Sequence, residues 1–294
     1  MKNIIFTGAA VAIVTPMHKD GTVNYDKLEE LLEEQISSGT DAIVICGTTG
    51  ESATLSGEEH LDCIKFAINK VNHRIPVIAG TGSNDTAYAT EMSIDAEKAG
   101  ADGLLLVTPY YNKTSQKGMA AHFTHTADAV NIPIILYNVP SRTGCKIDIE
   151  TYKELSKHRN IVAAKEASGD LSFVARLAAE TDLHIYSGND DQVVPIMSLG
   201  GKGVISVASN IIPEEMHKMC EYALKGDFGM ARNLQLEYLE LINALFCDVN
   251  PIPVKEAMNF MGKDVGPCRL PLVCPDESKL TVIKTALKRA GLMA

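Results

Sequence analysis

No basic stretch runs through this chain of 294 residues, and its formal net charge is -10. That speaks against nucleic acid as a partner, because affinity there rests largely on Lys and Arg at phosphates. Small anionic substrates stay open, since a site can be locally positive inside an acidic protein. Apolar runs of ~18 residues, the length of a membrane helix, are missing as well. The opening MKNIIFTGAAVAIVTPM is moderately apolar with one early lysine, but Pro16 and the polar HKDG follow without a cleavage pattern, so no signal peptide is expected. Seven cysteines, an odd number, lie scattered without a C-x-x-C pair. Reduced thiols in the cytoplasm fit that usage better than a disulfide framework or zinc. Nucleotide signatures are lacking: no G-x-G-x-x-G follows the first apolar run, and Gly201-Lys202-Gly203 fails the phosphate-loop pattern. No cluster of histidines with carboxylates marks a metal site. His122 and His125, spaced i, i+3, read as surface residues of a helix.

What the sequence does have is rhythm. Hydrophobic residues are 46% and charged residues 22%, ordinary for a soluble globular protein. Short apolar runs recur at 9–16, 41–50, 75–82, 102–111, 132–140, 161–168, 183–190 and 203–210. Each is a few residues of Val, Ile, Leu and Ala followed by a polar, Gly- or Pro-containing loop. Continuous apolar runs bounded by turn signals suit strands buried on both faces. Helical patterns lie between them. Residues 25–39 put Leu28, Leu31, Leu32 and Ile36 on one face and stop at Gly39. Residues 56–71 open on Ser56 with Glu59 three positions on, a capping-box pattern. Helices of similar length fit 85–100, 116–130, 149–158, 170–180, 191–199 and 213–224.

Eight strand–helix units predict parallel strands with crossover helices, and the number favours a closed (β/α)8 TIM barrel over an open doubly wound sheet. The barrel is expected over residues 1–225. After Gly226 the rhythm changes: 227–246 reads as one long amphipathic helix, with two more at 251–262 and 278–291. This C-terminal helical region, 226–294, is expected to pack on the barrel as one compact unit.

Active sites in such barrels sit at the C-terminal ends of the strands. There the run IVAAKEASGD, 161–170, sets Lys165 in an otherwise apolar strand. If its side chain points into the barrel, desolvation lowers its pKa from about 10.4 and leaves free amine, a nucleophile that forms a Schiff base with a keto acid. Alternatively it points outward to a helix acid, or forms an internal ion pair with Glu51 or Asp190. Tyr137, on the neighbouring strand at a matching level, is either a proton shuttle or a core tyrosine. Thr48 and Thr49, between Gly47 and Gly50, can offer hydroxyls and N–H groups to a carboxylate, or simply form a tight turn. Arg142, in the loop after Pro140, is either a bidentate clamp on a second carboxylate or a solvated arginine.

GTTGE at 47–51, YNVPSRTG at 137–144 and Lys165 in AAKEASGD, taken in order, resemble the dihydrodipicolinate synthase family of pyruvate-dependent Schiff-base aldolases and lyases. The resemblance runs over the whole chain, including GVISVASN at 203–210. It implies condensation of pyruvate, as a Schiff base on Lys165, with L-aspartate 4-semialdehyde to give 4-hydroxy-tetrahydrodipicolinate for diaminopimelate and lysine biosynthesis. Tyr137, Thr48 and Tyr111 would form the proton relay, Tyr111 reaching in from an adjacent subunit. Thr49, the Ile205 carbonyl and Gly188 would contact pyruvate, and Arg142 would hold a carboxylate. No cofactor beyond the covalent imine is implied, and no membrane partner. The family default is a tetramer, a dimer of dimers. N-acetylneuraminate lyase, which resembles this chain in the lysine and the Tyr-x-x-Pro element, usually lacks the Ser-Arg-Thr-Gly continuation. An idle barrel that binds a keto acid as a sensor is the reading from a different class. Ser52, Ala53, His60, Asn84 and Tyr110 match the lysine-effector site of feedback-inhibited members. Gly57 and Tyr88 stand where those members carry a histidine and a glutamate, so weak or absent inhibition by lysine is expected.

Overall fold

Strands buried on both faces need a partner layer on each side, and the chain supplies one by closing on itself. In the computed structural model, which describes residues 2–293, eight parallel strands form a closed barrel in chain order. They are β1 (Gly8–Ala12), β2 (Ala42–Ile45), β3 (Val77–Gly80), β4 (Gly103–Val107), β5 (Ile134–Asn138), β6 (Ile161–Glu166), β7 (His184–Ser187) and β8 (Gly203–Ser206). Alternate residues fill two separate cores. Ala10, Val44, Ile78, Leu105 and Ile135 pack in the barrel interior, while Val11, Ile43, Ala79, Leu104 and Leu136 pack against the helices. Phe6 stacks on Tyr186 at 4.3 Å, and the Tyr186 hydroxyl donates to the Phe6 carbonyl, closing the interior away from the site.

The crossover helices begin where side-chain oxygens can satisfy free backbone N–H groups. Asn24, Asp85, Ser115 and Asp170 each cap a helix, and Ser56 with Glu59 forms the reciprocal capping box. The loop after β5 contains a helical turn of its own, Pro140–Thr143, with proline at its start and Gly144 ending it at φ 71°.

Two expectations need correction. Residues 227–246 form two helices, Phe228–Glu237 and Leu239–Ala244, with the chain bending at Tyr238. The first packs against the helices Val193–Ser198 and Pro213–Leu224, the second against Glu277–Arg289, so one straight axis cannot serve both. His122 is not a surface residue. It is buried, 2.8 Å from the Thr86 hydroxyl through Nδ1, while His125 is exposed.

The C-terminal helices share the outer core of the barrel: Leu241, Val254, Ala257 and Ile283 belong to the same buried cluster as Ile43 and Leu136. Their connecting segments bring Val249, Asn250, Pro271 and Leu272 to a cleft shared with Thr48 and Arg142 from the loops after β2 and β5. Among the described residues no helix is long and apolar enough to cross a membrane.

Candidate active site

Lys165 points into the barrel because of one irregularity in β6. Ile134 pairs with Ile161, but Ile135 pairs with Ala163, so Val162 is an extra residue. Val162 and Ala163 both pack in the interior, and alternation then puts Ala164 outside, Lys165 inside, Glu166 outside and Ala167 inside. Strict alternation from Val162 would have sent Glu166 inward and Lys165 to the helices.

The lysine is almost fully buried. Neither ion pair held open for it forms. Glu51 is taken by Lys255, whose ammonium lies 2.8 Å from its Oε1. Asp190 accepts from the backbone N–H groups of Val207 and Ala208 through Oδ2. Burial therefore dominates and brings the Lys165 pKa down to about 8; the nearby Asp190 charge opposes this and Arg142 adds to it. Space for the side chain comes from Gly188, where a Cβ would lie 3.1 Å from Lys165 Cε and 2.7 Å from Ala167 Cβ.

Tyr137 is paired with Lys165 in register across β5 and β6. The ammonium lies over its ring, 4.3 Å from the centroid. Burial pushes the phenol's pKa up, while the Arg142 charge and the Thr48 hydroxyl act against that rise. Tyr137 lines a narrow recess of about 40 Å³ shared with Thr48, Gly80 and Leu105. Above it opens a cleft of about 300 Å³ lined by Thr48, Ser52, Tyr110, Arg142 and Asn250. Lys165 lines neither of these two cavities and meets Tyr137, which lines the recess, at the face of its ring.

The other expected residues fall in three places. Thr49 is buried and its hydroxyl accepts from Asn250 Nδ2 at 3.0 Å. Ile205 lies in the interior core on β8, beside Ala10 of β1. Tyr111 does not line this cleft: it is 90% exposed and held at φ 68°, a left-handed conformation that costs an aromatic residue energy. Of the five positions expected to match an effector site, Ser52, Ala53 and Tyr110 line the cleft. Asn84 donates to the Tyr110 carbonyl at 3.1 Å. His60 is buried, donating through Nε2 to the Gly80 carbonyl at 2.8 Å, and burial lowers its pKa.

Sequence reasoning missed what the C-terminal region brings. Asn250 bridges the site: its side chain meets Thr49, and its carbonyl accepts from Arg142 Nη2 at 3.3 Å. Lys255 donates to Glu51, to the Thr15 carbonyl at 3.1 Å and to the Pro267 carbonyl at 2.6 Å. Arg269 N donates to the other oxygen of Glu51. This buried knot holds the 47–51 loop, hence Thr48 and Thr49, against the C-terminal segment. The available signal was Lys255 itself, a lysine among Val254, Ala257 and Met258. Among the described residues no group of His, Cys, Asp and Glu is arranged to hold a metal ion.

Comparison with known proteins places this geometry. Residues 5–290 match the Dihydrodipicolinate synthetase family. The 4-hydroxy-tetrahydrodipicolinate synthase of Thermoanaerobacter sp. (strain X514) is 58% identical over 292 residues, 98% of this chain and 98% of that one. The solved structure of the chloride-inhibited dihydrodipicolinate synthase from Acinetobacter baumannii, complexed with pyruvate, is 45% identical, with a TM-score of 0.95 over 99% of this chain and 100% of that one. The structure of DHDPS from Cyanidioschyzon merolae with lysine bound is 41% identical, with a TM-score of 0.96 over 99% and 100%. A barrel lysine on β6, its tyrosine neighbour on β5 and a match along nearly the whole sequence lead to one assignment: the chain belongs to the dihydrodipicolinate synthetase family.

Proposed function

We propose that this chain is a lyase that condenses pyruvate with L-aspartate 4-semialdehyde to 4-hydroxy-tetrahydrodipicolinate, in diaminopimelate and lysine biosynthesis. The observation that carries the reading is the buried Lys165 ammonium over the Tyr137 ring, with a pKa brought down to about 8. A free amine at that position attacks the keto carbon of pyruvate. Water leaves and the imine forms. Loss of a C3 proton gives the enamine, whose carbon attacks the aldehyde. The amino group of the semialdehyde then adds to the imine carbon, closes the ring and expels Lys165 as the free amine.

Each proton in that sequence needs a carrier close to the nitrogen. Tyr137 is the central donor and acceptor, with Thr48 beside it and Tyr111 completing the relay from a neighbouring subunit. Thr49, the Ile205 carbonyl and the backbone at Gly188 surround the pyruvate end. Arg142, at the cleft, holds the carboxylate of the semialdehyde. The imine itself withdraws the electrons, so the reading calls for no cofactor and no metal. The exposed Tyr111 supports a homo-oligomer as the working unit, for which a dimer suffices; the tetramer, a dimer of dimers, follows from the family resemblance alone. Seven unpaired cysteines suit the cytoplasm.

The test is reductive trapping. Pyruvate and borohydride should leave a stable adduct on the Lys165 peptide, seen by mass spectrometry and absent in Lys165→Ala. Bound pyruvate without an adduct would make the lysine electrostatic and bring the sensor reading forward.

A further inference from the structure

The reacting side chains use only one face of β5 and β6. On the opposite face, one residue further along each strand, lies a buried polar pair with no part in the chemistry. Asn138 and Glu166 are in register with each other, next to the Tyr137–Lys165 pair. Both are buried. Asn138 Nδ2 donates to both carboxylate oxygens of Glu166, at 3.1 and 3.0 Å. Ser168 N donates to Glu166 Oε1 at 2.9 Å, and Ile147 N donates to Asn138 Oδ1 at 3.2 Å. The Tyr152 phenol is buried nearby. The partners of Glu166 are thus neutral donors, an expensive way to bury a carboxylate if packing alone were needed.

The pair sits just beyond the bulge at Val162, where the register of β6 is decided. A slip of one residue there exchanges the faces of Lys165 and Glu166. Apolar neighbours do little to prevent it, because Val162, Ala163 and Ala164 fit either face. Asn138 is suited to discriminate: its amide donor meets a carboxylate in the observed register, where a slip would set Lys165 or Ala167 opposite it, and its oxygen accepts from Ile147 N. We propose that Asn138 and Glu166 are positioning residues, a register lock that holds Lys165 against Tyr137 for imine chemistry. The proposal rests on the reading of Lys165 as the imine-forming residue.

An exchange experiment tests it. Asn138→Asp sets two carboxylates face to face. Glu166→Gln removes the charge. The double variant Asn138→Asp/Glu166→Gln reverses the roles: the new amide nitrogen donates to the new carboxylate, which accepts from Ile147 N, and the new amide oxygen keeps Ser168 N, so one of the two contacts between the side chains is regained. Rates of borohydride trapping with pyruvate and kcat for condensation are measured per folded molecule, normalised by circular dichroism. The expected result is a fall of tenfold or more in both for Asn138→Asp, with the KM for pyruvate within threefold, and recovery to within threefold of the parent in the double variant. If Asn138→Asp does not fold, Asn138→Ala, which removes the donor without adding a charge, carries the comparison with the parent, with the same tenfold fall expected. A purely structural pair would lower the melting temperature and leave trapping and kcat per folded molecule unchanged, which overturns the lock. So does a double variant no better than the poorer single one. A parent that forms no adduct on Lys165 overturns the functional reading, and the lock's purpose with it; normal trapping in both the parent and Asn138→Asp overturns the lock alone.

Discussion

Imine formation should follow the titration of Lys165, and the pH at which it levels off is set by burial. With a pKa of about 8, roughly 10% of the lysine is free amine at pH 7. An unperturbed lysine near 10.5 would offer about 0.03%, so desolvation raises the nucleophile's population some ~300-fold. At limiting pyruvate the trapping rate should climb about tenfold per pH unit below 8 and flatten above it. The neighbours give the sign of two shifts. Arg142 disfavours the ammonium, so Arg142→Ala moves the break to higher pH; Asp190 favours it, so Asp190→Asn moves the break lower. The assay is a pH series with borohydride quench at short times and the modified peptide quantified by mass spectrometry. A rate still rising tenfold per unit through pH 9 would mean the amine is solvated, and the desolvation argument would be wrong.

Three further outcomes follow from other parts of the structure. Lys255→Met strands the Glu51 carboxylate in the core and should cost about 3–5 kcal/mol in urea unfolding, with much of it regained in Lys255→Met/Glu51→Gln; an unchanged midpoint would show the pair to be dispensable. Tyr111→Phe should lower kcat by about 10²–10⁴, and mixing it with inactive Lys165→Ala should regain activity, because hybrid pairs hold one complete site; no regain would place Tyr111 outside its neighbour's chemistry. Millimolar L-lysine should inhibit turnover weakly or not at all. The Tyr88 hydroxyl stands 3.7 Å from where a Cβ on residue 57 would lie, and a phenol cannot replace a carboxylate as partner for an ammonium; strong inhibition at submillimolar lysine would refute this.

Lys165 and Lys255 look alike in the sequence and behave differently in the fold, and that contrast marks where the sequence stops being legible. The barrel was readable because its signal repeats: each apolar run needed two covered faces, and eight such runs in order left closure as the economical arrangement. The candidate site residues drew notice because polar residues at strand ends have few structural reasons to be there, and the family resemblance supplied the roles proposed for them. The bulge was not, since Val162 and Ala163 suit either face. Nor was the bend at Tyr238, which reflects two different packing partners rather than any break in the helical pattern. Both lysines stand in apolar company, and both announce an unusual environment. What separates them is decided by residues far away in the chain. Lys255 meets a carboxylate 204 positions earlier and two backbone carbonyls, so its charge is matched and its role is to hold a loop. Lys165 meets an aromatic ring and an aspartate already engaged by backbone N–H groups, so its charge is poorly matched and part of it is given up. A lysine in an apolar strand is therefore a question that the sequence poses and only its partners answer: matched, it anchors; unmatched beside a phenol, it gives up part of its charge and offers the free amine that the proposed chemistry needs.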